Sequence, residues 1–163
     1  VNNACFAPMV DGAVVQALQT AVVGKPVQLM LGGKTDPDFG GGTLAVEAEL
    51  VSLSDGLFTG DGPMIHGLHG SFGPSAVIRV AGIEILVVTM PRQILDLQQF
   101  KAFAIDLQKK HVVAVKSMQH FRAAFEPIAG QIVVCDSGAL CTPRYDRLPY
   151  RKVPRPIFPL DLP

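Results

Sequence analysis

Apolar positions follow a helical period at the start of the chain and a strand period after it. Val14, Leu18, Ala21 and Val22 share one helical face. Asp11 before them can cap a helix and Gly24-Lys25-Pro26 after them can stop it, so the pattern predicts a helix over 11–23. The apolar run 27–31 reads as a buried strand ending in Gly32-Gly33-Lys34-Thr35, and the glycine-rich 36–42 reads as loop. From Thr43 the pattern alternates, with Leu44, Val46, Ala48 and Leu50 on one side and Glu47 and Glu49 on the other. A phase slip at Leu50-Val51 predicts a bulge.

The glycine-rich stretch 55–74 predicts turns and loop with a short strand at Leu57-Phe58. Segments 75–80 and 83–90 form a predicted hairpin about Ala81-Gly82, the second being apolar enough for a central strand. A helix is expected from Asp96 with Leu97, Phe100 and Phe103 inward. A strand over 112–115, a helix over 117–126 and a strand over 131–135 follow. The fold class expected is α/β, a mixed sheet with parallel strands in the second half flanked by helices, with α+β as the alternative. The five prolines beyond Arg144 predict an extended strap, and a length of 163 residues predicts a single domain over 1–163.

Composition changes this picture in two ways. Hydrophobic residues are 48% and charged residues 17% of the chain, against a usual charged share of about 25%. An apolar surface meant for a partner, and self-association through it, are therefore expected. The net charge is zero, yet residues 1–62 carry two basic against seven acidic residues and residues 63–163 twelve against seven. An anion site belongs in the second half, while binding to nucleic acid or membrane is not expected. No apolar run is long enough for a membrane helix and Val1-Asn2-Asn3 lacks a basic leader start, so a cytoplasmic protein is expected. Cys5, Cys135 and Cys141 have no C-x-x-C spacing and are expected as reduced thiols, with Cys135 in the core.

Among the motifs, Gly32-Gly33-Lys34-Thr35 fails as a phosphate loop because Gln28 stands where the first glycine belongs, which leaves a tight turn carrying a lysine. His66 and His69 sit among glycines with no third ligand nearby, so a structural or solvent-facing role is expected. The informative stretch follows the strand at 112–115. Lys116, Ser117, His120 and Arg122 would gather at the start of a helix capped by Ser117, suited either to a carboxylate or oxyanion or simply to a capped helix with solvated charges. Thr89 to Gln93, with Arg92, and Asp136-Ser137-Gly138 would lie at neighbouring carboxyl ends of strands, where open α/β sheets bind ligands.

At these residues the chain resembles the C-terminal domain of the microcystinase C (MlrC) family, the MlrC-like metallopeptidases. The resemblance runs through Gly32-Gly33-Lys34-Thr35-Asp36-Pro37, Asp55-Gly56-Leu57-Phe58, Gly73-Pro74-Ser75-Ala76-Val77 and Thr89 with Arg92. It continues through Lys116-Ser117 with His120-Phe121-Arg122-Ala123-Ala124-Phe125, and ends at Arg155-Pro156-Ile157-Phe158-Pro159-Leu160-Asp161. It implies a zinc-dependent hydrolase of peptide or amide bonds, typified by linearised microcystin-type peptides, whose metal ligands lie mainly in a preceding N-terminal domain. On that reading His120 and Lys116 are the catalytic candidates, and Ser117, Arg92, Phe121, Arg122 and Lys34 bind substrate. No residue of this chain is expected to ligate metal; zinc belongs to the full-length protein, and the partners are its N-terminal domain and a peptide-like small molecule. The rival is a non-catalytic module that binds a small anion or oligomerises. Gly12 stands where the family has proline and Ala104 where it has glycine. An alanine in a left-handed position costs about 1 kcal/mol.

Overall fold

The sheet is built around β7 (Ile83–Val88), whose Leu86, Val87 and Val88 are buried with side chains alternating between its two faces. The structure is a computed structural model and describes residues 2–35, 41–136 and 145–161. Two compact units make up the chain, Val1–Ile132 and Val133–Pro163. The first contains β1 (Ala4–Val10), α1 (Gly12–Leu18), β2 (Pro26–Leu31), β3 (Leu44–Ser54), β4 (Leu57–Thr59), β5 (His69–Ser71), β6 (Ser75–Val80) and β7. After these come α2 (Gln98–Lys101), β8 (Val112–Val115) and α3 (Arg122–Phe125). Six strands form one sheet in the order β2-β3-β6-β7-β1-β8, and β4 and β5 form a separate hairpin.

The sheet is mixed, as expected. The pairs β2/β3, β3/β6 and β6/β7 are antiparallel, whereas β1 lies parallel to both β7 and β8. The parallel part is therefore made by β1, a strand the hydrophobic pattern did not announce, inserted between two strands of the second half. Its residues Ala4-Cys5-Phe6-Ala7-Pro8-Met9-Val10 are apolar on both faces and carry no alternation to read. The predicted bulge is present as a register shift between Leu50 and Ser52. The predicted hairpin turns at Ala81 (φ 47°) and Gly82 (φ 82°), which is the primed-turn geometry that matches strand twist.

Three predicted helices are shorter than expected. Asp11 caps α1 through Val14 N–H as predicted, but the helix ends at Leu18 and leaves Val22 and Val23 exposed. Asp96 Oδ1 accepts from Gln98 N–H, and α2 runs only to Lys101 before the chain turns through Ala104, at φ 59°. Ala104 thus occupies a left-handed position, where the resemblance implies glycine. The helix expected over 117–126 is only Arg122–Phe125, continued by a 3-10 turn over Glu126–Ile128 where Pro127 ends α-helical bonding.

The two sheet faces carry separate cores. On one, Val14, Val15 and Leu18 of α1 pack against Leu29, Leu31, Leu50, Ile78 and Val87. On the other, Cys5, Ala7, Leu86 and Val88 meet Phe72, Phe100, Phe103, Phe121 and Phe125. Each fully buried phenylalanine contributes about 2–3 kcal/mol. In the second unit the predicted strand over 131–135 is corrected. Residues 133–136 form no ladder among the described residues, Val133 and Val134 are exposed, and Cys135 is exposed rather than core. A β-branched run becomes a strand only where a neighbour supplies the ladder. Within that unit Arg155 pairs with Asp161 at 2.8 Å, and Asp161 accepts from Ile157 N–H at 2.8 Å. Part of the loop predicted over 36–42, Ser137-Gly138, Cys141 and the first residues of the predicted strap lie outside the described residues.

Candidate functional site

Because β1, β7 and β8 are parallel, their carboxyl ends share one edge, where Asp11, Thr89 and Lys116 follow Val10, Val88 and Val115. The antiparallel strands bring two more segments to the same edge: Ser54 pairs with Ser75, and Ser75 with Val88. Hence Asp55-Gly56-Leu57, Gly73-Pro74, Thr89–Arg92 and Lys116–His120, which lie far apart in sequence, converge.

Close backbone approach holds them there. A Cβ on Gly56 would fall 1.8 Å from the Gly73 carbonyl oxygen, and one on Gly73 2.2 Å from Thr89 Oγ1. The Phe72 carbonyl accepts from Met90 N–H at 2.8 Å and from the Thr89 hydroxyl at 3.3 Å, while Phe72 N–H donates to the Gly56 carbonyl at 2.9 Å. Arg92 Nε donates to the Ser71 carbonyl at 2.6 Å. A buried relay fixes the next segment. Gln99 Oε1 accepts from Leu95 and Asp96 N–H, Gln99 Nε2 donates to the Gln93 carbonyl at 3.0 Å, and Asp96 Oδ2 accepts from Gly62 N–H at 2.7 Å.

Gln93, the last residue of the segment expected at a strand's carboxyl end but not itself a predicted site residue, joins two of the predicted residues. Its Nε2 donates to Ser117 Oγ at 2.9 Å and lies 3.5 Å from His120 Nδ1. Arg92 and Lys116 each precede a member of this pair in the chain. Ser117 is not a helix cap; α3 starts five residues later and has no side-chain cap. The predicted helix-end anion site is withdrawn on that ground. Neither Arg92 nor Lys116 forms an ion pair with an acid among the described residues, although Arg122 and Lys34 do.

The other expected members lie elsewhere. Phe121 is buried in the aromatic core, edge-on to Phe125. Arg122 stacks 5.6 Å from the Phe121 ring centroid and pairs at 2.8 Å with Glu126, four residues on in the 3-10 turn that continues α3. Lys34 is bound to Asp11, 2.5 Å away, and also donates to the Met30 carbonyl. The Asp11 carboxylate, 1% exposed, is further engaged by Gly32 and Val14 N–H. His69 Nδ1 lies 2.9 Å from Thr59 Oγ1 across the β4/β5 hairpin and His66 Nδ1 3.1 Å from the Asp61 carbonyl in the loop between those strands, so both are tied locally. A shallow cleft of about 370 Å³ between Leu97, Ala104, Ile105, Leu107 and Ile128 contains none of the candidate residues.

No group of three or more His, Cys, Asp and Glu among the described residues is arranged to hold a metal ion. The described residues therefore do not fit a zinc ligand set. No described helix is long and apolar enough to cross a membrane.

The chain is 26% identical over 157 residues to Microcystinase C of a Sphingomonas species, a match covering 96% of this chain and 29% of that protein. A crystal structure of a “Putative metallopeptidase” from Mesorhizobium sp. BNC1 superposes with a TM-score of 0.80 at 22% identity, over 99% of this chain and 32% of the other, which establishes the shared fold. The chain thus spans less than a third of either relative. The model of the MlrC C-terminus family matches residues 1–152, and the chain belongs to that family.

Proposed function

We propose that this chain is the C-terminal domain of a metal-dependent peptide or amide hydrolase. It closes over a zinc site carried by a preceding domain and holds the substrate's carboxylate or developing oxyanion. The observation that carries this reading is the carboxyl-edge cluster: Arg92 and Lys116, without acidic partners among the described residues, flank the linked Gln93, Ser117 and His120. Lys116 and His120 supply positive charge or hydrogen bonds to the reacting oxygen, and Ser117 and Arg92 position the substrate. A donor aimed where negative charge develops is worth on the order of 10²–10³ in rate. Zinc bound by the other domain would act as a Lewis acid. Leu57, Met90 and Met118, exposed on the segments that form this edge, give the partner domain an apolar surface to cover. In its absence they favour self-association. The protein would work in the cytoplasm on peptide-like small molecules, of which linearised microcystins are the family's type.

The test joins this domain to its metal-bearing partner domain and follows cleavage of linear peptides. Chelation should abolish hydrolysis, and the Lys116→Ala/His120→Ala double variant should lower kcat by at least 10²-fold while the metal content stays constant. Full activity in that variant would leave the rival reading, a module that binds a small anion or oligomerises.

A further inference from the structure

The Gln93 amide dictates which hydrogens the cluster offers. An amide nitrogen carries two protons and accepts nothing, and here both of the side-chain partners it has among the described residues lie on the nitrogen: Ser117 Oγ at 2.9 Å and His120 Nδ1 at 3.5 Å. Ser117 Oγ accepts one proton, which leaves its own hydroxyl proton for another acceptor. His120 Nδ1 can face the other proton only as a lone pair. A neutral imidazole holds a single proton, which must then sit on Nε2. The main chain that carries this side chain is held, because the Gln93 backbone carbonyl accepts from Gln99 Nε2 at 3.0 Å, and Gln99, 1% exposed, is itself fixed by Leu95 and Asp96 N–H.

We infer that Gln93 is a positioning residue that holds neutral His120 as its Nε2–H tautomer and frees the Ser117 hydroxyl proton, so that the cluster offers donors to an oxygen acceptor. This deepens the proposed function and rests on it for its use in the reaction. It assigns His120 a specific part, that of a hydrogen-bond donor to a carboxylate or oxyanion, and removes it as the base that takes a proton through Nδ1.

The experiment reads the ring directly, in the full 163-residue chain labelled with 15N, by long-range 1H–15N NMR at alkaline pH where the imidazole is neutral. In the wild type His120 should carry its proton on Nε2 with Nδ1 unprotonated. Gln93→Leu should relax it to the tautomer mixture of an unrestrained ring. Gln93→Glu, which can only accept, should turn the majority to Nδ1–H. Unchanged core methyl shifts in the variants establish that the fold is intact. A wild-type ring protonated on Nδ1 would mean that the amide oxygen faces it and would overturn the inference, as would a tautomer indifferent to both substitutions. The hydrolysis assay separates the two levels. The expected tautomer together with a fully active Lys116→Ala/His120→Ala enzyme sinks the proposed function and leaves the inference about Gln93 standing.

Discussion

The two edges of the sheet carry similar side chains and treat them differently. At the edge opposite the candidate site, charges close on one another. Arg79 reaches Glu49 at 2.9 Å and Glu84 at 3.1 Å, and Lys110 reaches Glu84 at 2.8 Å. Burial pushes the Glu84 carboxyl up, but hydrogen bonds from Lys110 and Arg79, with their charges, outweigh it and hold the group below its ordinary range. Cys5, paired with Glu84 across β1 and β7, is pushed up to about 12 by burial, partly offset by Lys110, and stays an inert thiol. At the carboxyl edge Asp11 neutralises Lys34, yet no described acid meets Arg92 or Lys116. Charges that satisfy each other hold a fold together, and cations left without acids are available to a ligand.

Glycine substitution gives the sharpest contrast. Gly56 has φ 83° and no room, with the Gly73 carbonyl oxygen 1.8 Å from where a Cβ would stand. Gly56→Ala must displace backbone where three segments of the site meet, and a loss of more than about 4 kcal/mol is expected in denaturant unfolding. Gly24, ahead of β2, has φ 78° but nothing within 4 Å of its Cβ. Gly24→Ala should lose only about 1 kcal/mol, the cost of a left-handed alanine. Equal losses would mean that crowding at the carboxyl edge contributes little.

That crowding was only partly legible in the sequence. Alternation from Leu44, the slip at Leu50 and the Ala81-Gly82 turn correspond to local backbone rules, and each is present. Residues 4–10 announce nothing, because a strand buried on both faces has no period. The site repeats this division. Lys116, Ser117, His120 and Arg92 stood out by residue type, but Gln93 and Gln99 act through contacts formed only when distant segments meet. The Lys34–Asp11 pair likewise spans 23 residues and waits on the sheet. The resemblance implies Phe121 and Arg122 as substrate-binding residues, whereas the turn into α3 sends one into the core and the other to Glu126.

Asp11→Ala tests the closed Lys34–Asp11 charge pair at the carboxyl edge. Its buried carboxylate accepts from Val14, Gly32 and Lys34, so removal orphans two backbone donors and takes the counter-charge from an ammonium that keeps its bond to the Met30 carbonyl. With Lys34 able to reach water, a loss of about 3 kcal/mol is expected in thermal or denaturant unfolding. A loss below about 1 kcal/mol would show that the pair closes nothing.

Glu84→Gln tests the opposite edge, and pH gives its sign. Folding lowers the Glu84 pKa from its ordinary 4.5, so the ionised pair's stabilisation is complete above 4.5 and is lost as pH falls through the lower folded value. The wild type should exceed Glu84→Gln by about 1–2 kcal/mol at pH 7. That advantage should shrink progressively below 4.5 in denaturant titrations at stepped pH. An advantage independent of pH would assign it to packing instead.

The smallest stability effect belongs to the residues that matter most to the proposed function. Lys116 and Arg92 are exposed and meet no described acid; among the described residues Arg92 gives one hydrogen bond, to a backbone carbonyl, and Lys116 contributes only its backbone N–H, to the Ala7 carbonyl. Truncating such side chains changes stability by about 0.5 kcal/mol or less. Lys116→Ala and Arg92→Ala should therefore unfold like the wild type while hydrolysis by the two-domain protein falls by at least 10-fold for each. A residue kept for the fold shows the reverse, stability lost together with activity, as expected of Asp11→Ala. If Lys116→Ala were instead to destabilise the chain by 2 kcal/mol or more, it would have a structural partner, and the distinction drawn between the two edges would fail.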